Sequence, residues 1–338
     1  MKTAAVLGSL CLLMCCPRLW AQGLHFSQYY QAPLLLNPAN TALMPEADYR
    51  ATAHYRSQWA NIPVPFTTLS AAADFQVLRN ANETNWLGIG LAVFNDRAGK
   101  GDLSLFKGQL TAAYHVQLNS SNLFSAGLGL ALVQRSVDFS KLTFDTQWDG
   151  FTFNPDRAQG ENFQSAKTSY ADVSAGINYA YFPNEFLYLQ LGVGLLHINQ
   201  AKESFFGAEN RLGMRPTANL DIRYQLNTGW IAEFSGYYSR QKAASEIIYG
   251  ALFSSNLSPK EQRPNVLIFG LYHRFYDAVI PVLGFEWEQI RLLLSMDITL
   301  SPISQANRSN GAFEVSLSYQ GLYNRVSRGR DAYNCPRF

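Results

Sequence analysis

Residues 291–320 read RLLLSMDITL SPISQANRSN GAFEVSLSYQ, and this stretch decides the fold. Leu292, Leu294, Met296, Ile298 and Leu300 share one parity, while Arg291, Ser295, Asp297 and Thr299 share the other. Beyond a polar interval, Phe313, Val315, Leu317 and Tyr319 alternate with Glu314, Ser316, Ser318 and Gln320. A period of two means strands, because successive side chains on a pleated backbone point to opposite faces. One face of this pair is wet, and the other meets either a protein core or lipid.

The same alternation recurs along the chain. Tyr49, Ala51, Ala53 and Tyr55 oppose Arg50, Thr52, His54, Arg56 and Gln58; Phe124, Ala126, Leu128, Leu130 and Leu132 oppose Ser125, Gly127, Gly129 and Ala131. Further runs centre on Val173–Tyr179, Leu187–Leu195 and Trp230–Tyr238. Each has the length of a strand that crosses a bilayer at a tilt. Short turns are expected near Asn119 to Asn122, Pro183-Asn184, Asn227 to Gly229, Tyr276-Asp277 and Trp287 to Gln289. Longer polar loops are expected near 95–102, 138–167, 200–213, 254–265 and 301–311. Aromatic clusters at Tyr179, Tyr181, Phe182, Phe186 and Tyr188, and at Tyr272, Phe275 and Tyr276, read as girdles at a membrane interface. No segment after the N-terminus has the long uncharged run of a membrane helix, but a closed barrel also satisfies every backbone group. The expected fold is therefore all-β: an antiparallel transmembrane β-barrel of the outer membrane with about 14 strands. It spans residues 48–321 and closes by pairing the 291–320 strands with Tyr49–Gln58, apolar parity to lipid and polar parity to the lumen.

Residues 1–21 read as a signal peptide: Lys2, an apolar core from Ala4 to Met14, then Leu19-Trp20-Ala21, with the mature chain starting at Gln22. Cys15 and Cys16 lack the preceding small residue that lipidation needs, since Met14 stands there. Only Cys335 survives cleavage, so internal disulfides do not hold this fold. Lys2 and Arg18 leave with the signal, and the 27 basic residues fall to a number matching the 25 acidic ones. A neutral mature chain has no bulk charge to recruit nucleic acid. Residues 322–338 form a C-terminal tail ending on Phe338, an aromatic end of the kind outer-membrane barrels carry.

Between residues 22 and 47 the alternation fails. This non-barrel segment contains Phe26-Ser27-Gln28-Tyr29 and Asn37-Pro38-Ala39, and Tyr55-Arg56-Ser57-Gln58-Trp59 and Pro65-Phe66-Thr67-Thr68 follow. Asn95-Asp96-Arg97-Ala98-Gly99, the 110–115 and 170–176 stretches and Asp297-Ile298-Thr299-Leu300-Ser301 continue the series. In order and spacing these motifs resemble the PorP/SprF family of the type IX secretion system of Bacteroidetes, across nearly the whole mature chain. Asn40-Thr41 and Gly311-Ala312-Phe313-Glu314 depart from the family pattern. The resemblance implies an outer-membrane protein that accepts or anchors secreted cargo carrying a C-terminal sorting domain. Its other implied contacts are the secretion machinery on the periplasmic side and outer-membrane lipid.

Phe26, Ser27, Gln28, Tyr29, Asn37, Pro38, Tyr55, Arg56, Gln58 and Trp59 are the partner-binding candidates, with Trp and Arg as anchors typical of interfaces. Against docking stands a plainer reading. The segment's aromatics and Leu34-Leu35-Leu36 pack in the lumen or beneath the barrel, Tyr55 and Trp59 meet lipid, and Arg56 pairs with an inward acid. Asn95, Asp96 and Asp102 lack the spacing and closing glutamate of a calcium loop. Asp145, Asp149, Asp156 and Glu161 form an exposed acidic loop, and His197 suits a headgroup zone. No nucleophile elbow, zincin motif or phosphate loop occurs, so neither an enzyme nor a cofactor is expected. Inward His54 and His115 read as hydrogen-bonded lumen residues. The competing function is a passive porin or solute transporter, with Gly127 and Gly129 leaving a pore and Arg50, Arg56, Asp172, Asp221 and Arg223 closing one.

Overall fold

A computed structural model of the chain describes residues 23–44, 47–61, 65–80, 82, 84–99, 101–157, 160, 165–205, 209–257 and 265–323. The expected signal peptide, Glu161, Cys335 and Phe338 lie outside the described residues. Fourteen strands form one closed barrel. They are β1 (Tyr49–Gln58), β2 (Phe66–Val77), β3 (Asn85–Ala98), β4 (Leu103–Asn119), β5 (Asn122–Ser136), β6 (Lys167–Asn184) and β7 (Leu187–Leu196). The remainder are β8 (Arg215–Asn227), β9 (Trp230–Gln241), β10 (Ala244–Asn256), β11 (Asn265–Arg274), β12 (Ala278–Trp287), β13 (Ile290–Thr299) and β14 (Asn310–Gly321). Each pairs antiparallel with its sequence neighbours, and β14 closes on β1 from Tyr49 opposite Gly321 to Gln58 opposite Ala312. The alternating stretch around residues 291–320 is thus the seam of the barrel.

Asparagine side chains build several of the tight turns. Asn119 Oδ1 accepts the Ser121 N–H at 2.9 Å, Asn184 Oδ1 accepts those of Phe186 and Leu187, and Asn227 Oδ1 accepts that of Gly229. Such turns supply locally the acceptor that a reversing chain lacks. The register slips just before each, so β6 runs through Pro183-Asn184 and reverses at 185–186. These turns share a rim with both ends of the barrel sheet, Tyr49 and Gly321, and that rim faces the periplasm by the rule for such barrels. The opposite rim carries the connections from β5 to β6, from β7 to β8 and from β13 to β14. Several connections break the correlation of length with side. Those from β9 to β10 and from β11 to β12 are short turns on the long-loop rim, and those from β2 to β3 and from β10 to β11 are longer links on the short-turn rim. Strand order alone assigns each connection its rim, whatever its length.

On the outer face Leu128, Leu130 and Leu132 are 67%, 52% and 69% exposed. A contiguous apolar belt of this kind is stable only against hydrocarbon. Tyr179, Tyr181, Phe186, Phe275 and Tyr276 project outward as girdle residues. Phe182, Tyr188 and Tyr272 do not: all three are buried inside the barrel, Phe182 stacked on Tyr188 at 6.3 Å and Tyr272 on Tyr30 at 5.0 Å. Their parity is the inward one, which clustering near a turn conceals. The inner wall also turns apolar along β10 to β13, where Ile248, Leu252, Ile268, Ile280, Val282 and Leu293 form a buried cluster. Inward glycines interleave with these large residues: Gly270 beside Leu252 and Gly284 beside Leu293. The alternation of small and large side chains fits the tight inside of the wall.

Residues 23–44 thread the lumen from the long-loop rim to the short-turn rim. Gly23 lies beside Arg215 and Gln241 at the starts and ends of β8 and β9, and Asp48 N–H meets Gly321 O at the far rim. Short helical turns at Tyr29–Gln31, Pro33–Leu36 and Pro38–Asn40 compact the segment. Pro33 and Pro38 open their turns, where a missing N–H costs nothing.

Candidate functional site

The filled lumen is the site, and it has three tiers. Near the long-loop rim, the N–H groups of Ser27 and Gln28 donate to the two oxygens of Glu314 on β14, at 2.7 and 2.8 Å. Ser27 Oγ donates to the Asp297 carboxylate at 2.7 Å and accepts from Arg56 at 2.7 Å and Arg274 at 2.5 Å. Arg56 pairs with Glu314 and, at 3.3 Å, with Asp297; Arg274 pairs with Asp297 at 2.9 Å and Glu246 at 3.2 Å. Gln28 donates to Ser295 Oγ and accepts from Ser316. Charges this deeply buried persist only when paired and hydrogen-bonded, so each member of the cluster depends on the others. Phe26 lies on His54 at 5.0 Å, and His54 Nε2 meets Gln31 O at 3.0 Å. Tyr29 donates to Ser235 at 2.8 Å and stacks on Tyr237 at 5.3 Å.

In the middle tier the plug is seated by shape. Asn37 Oδ1 accepts the Ala39 N–H at 2.9 Å, and its Nδ2 donates to Ile177 O of β6 at 3.1 Å. Pro38 and Ala39 lie against Gly127, where an added Cβ would sit 2.5 Å from the Pro38 carbonyl carbon. At Gly176 it would run into the Asn37 side chain. The inward glycines therefore open no pore; they are the notch that receives Asn37-Pro38-Ala39.

The lowest tier is again polar. His115 Nε2 meets Thr41 O at 2.8 Å while Nδ1 meets Ser125 Oγ at 2.7 Å, so the ring donates to the carbonyl and accepts from the serine. Trp86 stacks on His115 at 4.8 Å and donates to Ala42 O. Asp74 accepts the Ala42 N–H at 2.7 Å and pairs with Arg50 at 2.6 Å. Gln76 donates to the carbonyls of Ala42 and Met44.

Seven of the ten candidates lie inside this arrangement: Phe26, Ser27, Gln28, Tyr29, Asn37, Pro38 and Arg56 are buried in the lumen. Tyr55 is on the outer face, while Gln58 ends β1 at the long-loop rim and Trp59 follows it, edge-on to Phe66 at 5.4 Å. Sequence reading missed Arg274, Glu246, Asp74 and Gln76, whose inward parity within their strands was the available signal. His197 is not a headgroup residue. Its Nδ1 lies 2.9 Å from Asp172, which also holds Lys107 at 3.6 Å, because a left-handed backbone (φ 58°) at the end of β7 turns the ring inward. Asp96 accepts from Thr68, Asp102 pairs with Lys141, and Asp149 caps its own turn through the N–H groups of Phe151 and Thr152. Two cavities flank the plug: one of about 380 Å³ toward the short-turn rim and one of about 220 Å³ under the long loops.

The motif stretches that meet in the upper tier lie within a match to a family model, that of the type IX secretion system membrane protein PorP/SprF, over residues 20–319. The chain belongs to this family. Among curated proteins none matches it in sequence. Solved structures share its architecture: the Ralstonia pickettii toluene transporter TbuX, at 10% identity over 86% of this chain and 93% of that one, with a TM-score of 0.51. A Pseudomonas aeruginosa FadL homologue is 12% identical over 84% and 92% of the two chains, with a TM-score of 0.52. The TodX deltaS2S3 mutant, a monoaromatic hydrocarbon channel, is 11% identical over 86% and 94%, with a TM-score of 0.50. These likenesses establish the barrel fold and nothing of its cargo. Fold and family together place this PorP/SprF member in the outer membrane as part of type IX secretion.

Proposed function

We propose that this PorP/SprF member is a non-enzymatic accessory of type IX secretion that accepts or anchors cargo carrying a C-terminal sorting domain at its long-loop rim. Contact with the secretion machinery falls at the periplasmic rim. The observation that carries this reading is the filled lumen: residues 23–44 are bonded to the wall along its height, which leaves the two rims as working surfaces. Gln58 and Trp59, with Tyr55 below them on the outer face, are the candidates that a partner reaches directly. Phe26, Ser27, Gln28, Tyr29, Asn37, Pro38 and Arg56 act on a partner through the seating of the plug. Leu43 and Asp48 mark where the segment meets the periplasmic side.

Affinity purification of the intact barrel from detergent should recover cargo or machinery components, and Trp59→Ala should lower cargo recovery while leaving the barrel folded. Undiminished recovery refutes a role for that rim. Deleting residues 22–43 should abolish the periplasmic contact, and unchanged recovery of machinery refutes that part. A steady open channel from the intact protein in planar bilayers would favour the porin reading instead.

A further inference from the structure

The cavity beneath the long loops has an unbalanced lining. Among the described residues, Lys107, Arg135, Arg211, Arg215 and Lys242 face only two acids, Asp172 and Glu203. Those acids are taken: Asp172 by Lys107 at 3.6 Å and His197 at 2.9 Å, and Glu203 by Arg135 at 3.1 Å. Among the described residues Arg211 reaches only the exposed Glu209, at 3.8 Å. Arg215 is 7% exposed and meets no carboxylate among the described residues. Its guanidinium donates to Leu24 O at 3.2 Å, Tyr237 Oη at 3.0 Å and Ser239 Oγ at 3.3 Å, and Glu246 nearby is engaged by Arg274. Lys242 forms no ion pair among the described residues, its stem packed on Gly213. Arg135 Nε is buried with no hydrogen-bond partner among them. A buried cation without a counter-charge is costly, and an arriving anion removes that cost.

The other wall is aliphatic: Leu24, Leu105, Val133 and Leu196. Its volume of about 220 Å³ is below the roughly 300–1,000 Å³ of drug-sized sites, which suits a chain terminus and excludes a folded segment. We propose that this cavity binds the C-terminal carboxylate of a peptide whose last side chain is aliphatic. The carboxylate lies between Arg215 and Lys242, and the side chain lies on the leucine wall. A bare phosphate would satisfy the cations and leave the aliphatic wall unused. Because the long loops face outward, the terminus arrives from the cell exterior.

The test uses the full mature chain in detergent and a short fluorescent peptide ending in leucine, as the free acid and as the amide, read by anisotropy. The free acid should bind about tenfold more tightly or better, the scale of one charge-assisted hydrogen bond. Arg215→Gln should weaken it comparably. Since Arg215 also holds Leu24, Lys242→Gln at the exposed edge is the second variant, and it should weaken the acid but not the amide. Equal binding of acid and amide overturns the proposal, as does no binding of either. An unaltered affinity in folded Lys242→Gln, or displacement of the peptide by inorganic phosphate where acetate fails, does the same. The measurement needs the barrel alone, so its outcome is separate from cargo recovery.

Discussion

The upper tier and the middle of the buried N-terminal segment are held by different physics. Ser27 and Gln28 are held by charge: two guanidinium groups and two carboxylates converge on one hydroxyl and two N–H groups, with Glu246 behind Arg274. Asn37, Pro38 and Ala39 are held by shape, in a notch of glycines where one polar side chain sets the turn. Charge is strong but all-or-none, since removing one partner leaves another buried and bare. Shape is graded, because each added atom displaces the turn by its own size. A segment latched at one end and nested in its middle opens first where the latch fails.

The largest effect should follow from breaking the charge. Arg56→Leu strands Glu314 and overloads Arg274, and a cost of about 3–5 kcal/mol is expected in denaturant unfolding, with conductance appearing in planar bilayers. A closed, fully stable variant would show that the cluster is not the latch. Filling the notch comes next: Gly176→Val intrudes on Asn37, and about 1–3 kcal/mol of overpacking should raise thiol labelling of an Ala39→Cys reporter while an Ala32→Cys reporter beside Phe26 stays protected. Simultaneous exposure of both would mean that the two tiers move as one. Asn37→Ala removes the side-chain acceptor of Ala39 and the bond to Ile177, a loss of about 1 kcal/mol with the plug still in place. Tyr29→Phe keeps the ring on Tyr237 and loses only the bond to Ser235, again about 1 kcal/mol or less by the same unfolding measurement.

The smallest effect lies outside the comparison, in the loop at Asp149. The N–H groups of Thr152 and Phe151 hold that carboxyl below the ordinary carboxylate range. A depressed folded-state pKa contributes order above the unfolded value and loses it as the pH falls through the folded one. Acidification should therefore increase protease cutting at residues 149–152 and leave conductance unchanged, which separates loop order from plug seating.

Much of the architecture was legible because lipid imposes a simple rule on one face. Leu292, Leu294, Met296 and Ile298 face hydrocarbon, and any polar break in that series would have been costly. No such rule governs the inward face. Leu293 has the polar parity and lies in an apolar cluster, while Tyr272 and Phe182 have girdle composition and point inward. Whether an inward position is polar depends on which part of the N-terminal segment passes it. The motifs at Phe26–Tyr29, Tyr55–Trp59 and Asp297–Ser301 were visible as candidates, yet their meeting was not, since Ser27 and Asp297 are 270 residues apart.

By itself the sequence determined the strands, their number to a close approximation, the face each presents to lipid and the closure of β14 on β1. Period two and bilayer thickness are local constraints that a single strand must meet alone. Only the tertiary structure decided that the inward glycines are a seat, that Arg56 and Asp297 latch a segment from the other end of the chain, and that the lumen is filled. Those contacts join residues that no local periodicity relates, and their energies exist only when all the partners arrive together.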